Sequence, residues 1–244
     1  MQEMTFYDAG VDLLQMQTNM EIDGKTISRY GATDKSVPVV YLHTFQHEGE
    51  AIYQQCQKIG TRQFILVEID GIDWNAEMSP WPAEPIFKGE GGYAGNAGKW
   101  LATLLSSVIP NVEKDLHVSK RYLAGYSLAG LFALWAAYQT DAFDGIISGS
   151  GSLWYPHFLD FVHGHTWTKE PECIYLSLGD RERVTRNPVL STIEDNTRQL
   201  YEEYKSAGLN VIFELNNGNH YMQPDWRMAK GIQWTLRSHS TALP

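Results

Sequence analysis

An α/β fold, a doubly wound and mostly parallel sheet, is what this sequence predicts, and three observations predict it. Six short apolar runs rich in β-branched residues recur along the 244 residues. They are apolar nearly throughout, as strands covered on both faces must be, and such strands belong to parallel sheets. Segments with apolar residues at helical spacing lie between them, and strands alternating with helices make a doubly wound sheet. No internal repeat or linker interrupts the chain, so one domain over 1–244 is expected.

Taken in order, Pro38-Val39-Val40-Tyr41-Leu42 is the first strand and Phe64–Ile69 the second. Trp100, Leu101, Leu104, Leu105 and Val108 fall at helical spacing, with Pro110 near the helix end. Arg121–Gly125 is the third strand, followed by a helix with Leu128, Leu131, Leu134, Trp135 and Tyr138 on its buried side. Gly145–Gly149 and Cys173–Leu178 are the fourth and fifth strands. Asn187-Pro188 reads as a cap followed by Pro at the first helical position, opening a helix that runs to about Ala207 with Gly208 as its stop. Its stripe is Leu190, Ile193, Thr197, Leu200 and Tyr204. Asn210–Leu215 is the last strand, and a final helix starts near Pro224-Asp225 with Trp226, Ala229, Ile232 and Leu236 on one face.

Two stretches, 71–95 and 149–171, break the alternation. Both follow predicted strands and both are aromatic. Ligands of open α/β sheets bind outside the carboxyl ends of the strands, and long loops there are commonly functional. Trp74, Trp81, Trp154 and Tyr155 are therefore candidate walls of a substrate pocket, the alternative for each being a core or lid-packing aromatic.

Composition removes other classes. Hydrophobic residues make up 43% and charged residues 20%, an ordinary globular balance. With 19 basic and 29 acidic residues the net charge is −10, which disfavours nucleic acid or an anionic membrane as partner. No apolar run approaches the ~18 residues of a membrane span. Cys56 and Cys173 read as free thiols, and Met1–Thr5 has neither a basic nor an apolar leader region. A soluble, cytoplasmic protein is expected.

The chemistry lies in Leu123-Ala124-Gly125-Tyr126-Ser127-Leu128-Ala129-Gly130, which follows a strand and opens a helix. That is the setting of a nucleophile elbow: a sharp turn lifts the Ser127 hydroxyl above the sheet, and small flanking residues let strand and helix approach. The backbone N–H of Leu128 is an oxyanion donor. A serine needs a base, and His220, in the polar turn Asn216-Asn217-Gly218-Asn219-His220, stands downstream at a strand-to-helix switch. The acid belongs after the fifth strand, where Gly179-Asp180-Arg181-Glu182 offers two carboxylates. Glu182 is preferred, because it has room to turn back towards the histidine; Asp180 stays open. A second oxyanion donor belongs after the first strand, in His43-Thr44-Phe45, from the N–H of Thr44 or of Phe45. His43 itself is a pocket wall or a plain loop residue.

Together these segments resemble the putative-esterase branch of the α/β-hydrolase superfamily, the group of esterase D, feruloyl esterases and siderophore esterases. The matching residues are Val39–His43, Gly125-Tyr126-Ser127-Leu128-Ala129-Gly130, Ser150-Gly151-Ser152-Leu153-Trp154 and Gly218-Asn219-His220. The resemblance implies an α/β-hydrolase fold, no metal or other cofactor, and hydrolysis of a small-molecule ester through an acyl-enzyme. It implies Ser127 as nucleophile, His220 as base and Glu182 or Asp180 as acid. His43-Thr44 stands where the family has His-Gly, and Ala129 where it has Gly. The same residues would also serve an acyltransferase or thioesterase, and a hydrolase-like scaffold that only binds a ligand is the remaining alternative. Other motifs lack their context. Gly89-Glu90-Gly91-Gly92-Tyr93-Ala94 follows prolines rather than a strand, Gly98-Lys99 precedes Trp100 rather than Ser or Thr, and neither His163/His165 nor His43/His47 has the carboxylate partners of a metal site.

Overall fold

The computed structural model describes residues 17–31, 35–86, 89 and 91–237. The Met1–Thr5 reading, and Glu90 in the glycine-rich stretch, lie outside the described residues. In chain order the elements are β1 (Gln17–Ile22), β2 (Lys25–Tyr30), β3 (Val37–His43), α1 (Gly49–Lys58), β4 (Ile65–Asp70), α2 (Trp74–Glu77), β5 (Pro82–Ala83) and β6 (Tyr93–Ala94). Then come α3 (Ala97–Thr103), a π-helical turn (Leu104–Val108), α4 (Ile109–Glu113), β7 (Val118–Tyr126), α5 (Leu128–Ala137) and β8 (Gly145–Gly149). The chain continues through α6 (Phe158–Gly164), β9 (Cys173–Gly179), α7 (Ile193–Ser206), β10 (Val211–Asn216) and α8 (Pro224–Arg237).

Eight strands form one sheet in the order β1-β2-β4-β3-β7-β8-β9-β10. β1 and β2 are antiparallel to their neighbours, and from β4 to β10 every pairing is parallel. The six predicted strands are β3, β4, β7, β8, β9 and β10. Of these β3, β4, β8 and β9 are buried at every position, which is why their sequences do not alternate. Side chains leave the two faces in turn. Val40, Leu42, Leu66, Tyr122, Ile147 and Tyr175 pack with residues of α1 and α8 on one side. Val39, Tyr41, Val67, Leu123, Ile146 and Ile174 pack with residues of α3, α4, α5, α6 and α7 on the other.

The structure corrects the reading in several places. Helical backbone runs through Pro110 to Glu113. A π-helical turn stands just before it, and Pro110, whose nitrogen has no hydrogen to donate, sits in the first turn of α4. On α8, Ala229, Ile232 and Leu236 are fully buried but Trp226 is partly exposed; Arg227 takes the inward position beside it. The stretches 71–95 and 149–171 contain short elements (α2, β5, β6 and α6) too brief to show a period. The β1–β2 hairpin turns on Asp23-Gly24, both at positive φ, with Ile22 paired to Lys25. Its flanks are polar on one face, so no apolar run marked it.

Among the described residues no helix is long and apolar enough to cross a membrane. Cys56 and Cys173 are buried, and burial pushes both thiols up to about 12.

Candidate active site

The parallel strands deliver their carboxyl ends to one edge, and there the predicted residues collect. β7 ends at Tyr126, and Ser127 turns the chain into α5 with φ 59° and ψ −125°, a backbone conformation that L-residues rarely adopt. Hydrogen bonds hold this turn. Ser127 N–H donates to the Gly149 carbonyl (3.0 Å), and the Ser127 carbonyl accepts from Gly130 (3.0 Å), Leu131 (3.2 Å) and Ser152 (3.0 Å). Strand and helix come so close that a Cβ at Gly125 would lie 2.3 Å from the Ala129 carbonyl carbon. Ala129 can carry its methyl group only because Gly125 opposite has none.

His220 lies in the turn between β10 and α8. Its Nε2 is 3.2 Å from Ser127 Oγ, and its Nδ1 is 2.8 Å from Glu182 Oε2. A proton on Nδ1, donated to the carboxylate, leaves the Nε2 lone pair facing the serine hydroxyl. Glu182 stands in the loop after β9. Its Oε1 accepts from Gly179 N–H (2.6 Å), Ser150 Oγ–H (2.6 Å) and Arg227 Nη1 (3.0 Å). Burial alone would push this carboxyl up. The hydrogen bond and charge of His220, with the bonds from Ser150 and Gly179, outweigh burial and hold it below the usual carboxylate range. Asp180 is placed differently. Its Oδ1 accepts the Gly218 N–H (2.8 Å), which ties the acid loop to the histidine turn.

Three further side chains surround this array, and the sequence reading gave none of them a role. Tyr126 donates its hydroxyl to the His220 carbonyl (2.7 Å), with the two rings 5.2 Å apart. Ser150 bridges Glu182 and the Tyr126 hydroxyl, from which it lies 2.8 Å. Arg227, only 1% exposed, reaches in from α8. Its one signal in the sequence is a cation beside the apolar stripe of a helix that covers a sheet.

β3 and β7 are paired with His43 opposite Gly125, so the Thr44-Phe45 loop emerges beside Ser127-Leu128. Leu128 opens α5, where first-turn N–H groups have no helical acceptor. Thr44 needs correction as a donor: its N–H is bonded to the Ile69 carbonyl (3.0 Å) and continues the sheet. Phe45 and Gln46 lie beyond the sheet, and their N–H groups converge on Glu48 Oε2 (3.0 and 2.9 Å). Two adjacent amides of this loop thus already point at one anionic oxygen. Beneath them, buried Glu68 accepts from Thr44 Oγ1 (3.0 Å), Gly49 N–H (2.7 Å) and Tyr30 (2.7 Å), pinning the loop to β4. His43 closes β3 and is buried, with Nε2 accepting the Trp100 indole N–H (2.9 Å).

The aromatic candidates separate. Tyr155 is buried and donates to the Trp81 carbonyl (2.6 Å); the Trp81 indole donates to Pro156 (2.9 Å); Trp154 packs on Tyr155 and Tyr93. These three join the two loops to each other. Trp74 stacks edge-on with Phe45 (5.2 Å), which is 58% exposed, and Tyr221 beside His220 is 85% exposed. Phe45 and Trp74 thus pair across the loops after β3 and β4, and the Tyr221 ring meets the His220 ring edge-on (5.4 Å).

A mostly parallel sheet in this strand order, with a strained serine at its carboxyl edge, defines the α/β-hydrolase fold. The family described as "Putative esterase" matches residues 19–228, and the chain belongs to it; the protein is a carboxylic ester hydrolase. It is 23% identical over 228 residues to the uncharacterized protein YbbA of Bacillus subtilis, covering 88% of this chain and 91% of that one. Among solved structures it is similar to the siderophore hydrolase EstA from Aspergillus nidulans, with a TM-score of 0.75 and 19% identity over 98% of this chain and 100% of the other. An IroE-like serine hydrolase from Shewanella oneidensis gives a TM-score of 0.75 at 16% identity, over 91% of this chain and 80% of the other.

Proposed function

We propose that the protein hydrolyses small carboxylic esters through an acyl-enzyme formed on Ser127. The carrying observation is the run of contacts from Ser127 Oγ to His220 Nε2 (3.2 Å) and from His220 Nδ1 to Glu182 Oε2 (2.8 Å). As Ser127 Oγ attacks the acyl carbon, His220 Nε2 takes the hydroxyl proton and Glu182 stabilises the imidazolium. The carbonyl oxygen becomes an oxyanion held by the Leu128 N–H and, in place of the Glu48 carboxylate, by the Phe45 N–H. Each such donor is worth about 3–4 kcal/mol in the transition state. The tetrahedral intermediate collapses as His220 hands its proton to the leaving alkoxide. Water then enters by the same route: His220 takes its proton, the hydroxyl adds to the acyl carbon, and the acid departs as Ser127 recovers its proton.

Phe45, Trp74 and Tyr221 offer apolar and aromatic surface to the substrate. The similarity to a siderophore hydrolase supports siderophore esters as the first substrates to assay. A cytoplasmic location belongs to the same reading, supported by the two buried thiols. Ser127→Ala should lower kcat/KM for a p-nitrophenyl acyl ester by at least about 10⁴-fold while leaving the circular dichroism unchanged. Retained turnover in that variant would overturn the proposal.

A further inference from the structure

Among the described residues Arg227 has the largest fully buried side chain, and the partners of its guanidinium belong to the site. Nη1 reaches Glu182 Oε1 (3.0 Å), the Tyr126 hydroxyl (3.0 Å) and Ser150 Oγ (3.1 Å). Nη2 donates to the Asn219 carbonyl (2.8 Å), immediately before His220, and to the Asn217 carbonyl (3.4 Å). Taking a cation out of water is expensive unless its partners are good, and a helix such as α8 would ordinarily place an apolar residue there.

We propose that Arg227 is a positioning residue that sets both the charge and the geometry of the histidine, on the reading of Ser127, His220 and Glu182 given above. The two oxygens of Glu182 face opposite ways: Oε2 towards the imidazole, Oε1 towards the guanidinium. A bare buried carboxylate would hold an imidazolium tightly and keep the base protonated to higher pH. Sharing that carboxylate with Arg227 weakens its hold on the imidazolium. The second nitrogen of the fork meanwhile fixes the backbone that aims Nε2 at Ser127.

The other groups around His220 do not supply this charge. Tyr126, from the end of β7, is a phenol that burial pushes up to about 12, and Tyr221 and Ser127 are uncharged. Asp180, on the loop after β9, is a carboxylate that faces the Gly218 N–H of the turn. Among the described residues, Arg227 is thus the cation bonded to Glu182 beside the histidine.

The test compares kcat/KM against pH for wild type, Arg227→Met and Arg227→Lys with a p-nitrophenyl acyl ester. Active enzyme is counted by titration with a fluorophosphonate. In Arg227→Met the acid limb should move up by about one pH unit, because the carboxylate no longer shares its charge. In Arg227→Lys the limb should stay at its wild-type position, while kcat falls about 10- to 100-fold, because an ammonium cannot span the carboxylate and the Asn219 carbonyl as a planar fork does. An unmoved limb in Arg227→Met, or wild-type kcat in Arg227→Lys, overturns the proposal. If Arg227→Met fails to fold, Arg227→Lys alone decides it by its limb and its kcat. Failure of the underlying reading shows elsewhere: wild-type enzyme would turn over ester without a fluorophosphonate label on Ser127.

Discussion

Glu182 and Asp180 are two positions apart and meet different neighbours, one the imidazole and the other a backbone amide. Glu182→Gln should therefore lower kcat by about 10³- to 10⁴-fold, since an amide can hold the wrong tautomer of the imidazole. Asp180→Asn, which keeps an acceptor for Gly218, should stay within about tenfold of wild type. A steady-state assay of both variants on one ester checks this, and equal losses would contradict the assignment. The held-down carboxyl of Glu182 has a further consequence. A group whose folded value lies below its unfolded one contributes stability above the unfolded value, and that contribution is lost as pH falls through the folded one. At this scale Ser127 and His220 were legible, because an elbow and a polar turn are written in consecutive residues. Arg227 was not. An arginine beside an apolar stripe reads as solvent-facing until a buried carboxylate is known to lie opposite it.

The β7–α5 elbow is the element on which the chemistry rests, and its tolerance is set by contact rather than by residue type. A methyl group at Gly125 would meet backbone atoms of Ala129, which cannot rotate away as a flexible side chain could. Gly125→Ala should lose at least about 3 kcal/mol of stability, or fail to accumulate as folded protein. Ala129→Gly removes a methyl group without creating a clash; its stability should stay within about 1 kcal/mol, chiefly the helix-propensity difference. Urea unfolding of the two variants checks the pair. The departure from a Gly-x-Ser-x-Gly pattern is thereby accounted for by one close approach. The loop after β3 was only half legible for a similar reason. Sequence places both Thr44 and Phe45 there, but which N–H the sheet consumes depends on how far the β3–β4 pairing runs, and it runs through Thr44.

Across the whole molecule, burial on both faces of the sheet made the fold legible, since it forces nearly continuous apolar runs into the parallel strands. It also hid what is polar within them. His43 sits in such a run, fully buried against Trp100 and Phe132, with its ring nitrogen accepting the Trp100 N–H. Burial first, and the Lys25 charge second, lower it from 6.5 to about 3. The unfolded chain therefore binds one more proton than the folded one between these values, and stability falls as pH drops through that window by about 1.4 kcal/mol per unit. His43→Gln keeps an acceptor for Trp100 and does not titrate. Its unfolding free energy should lose less per pH unit than that of wild type between pH 6 and about 4, by roughly that same amount. Parallel pH dependences would contradict the burial argument.

The central claim is that the strained hydroxyl at the end of β7 is the one that takes the acyl group, with the imidazole of the β10–α8 turn as its base. Mass spectrometry of the intact protein after exposure to a fluorophosphonate, followed by peptide mapping, tests it most directly. One phosphonyl group on Ser127, slowed at least about 10³-fold in His220→Ala, is the predicted outcome. A protein that hydrolyses esters while Ser127 remains unmodified, or that carries the label on another residue, would contradict it.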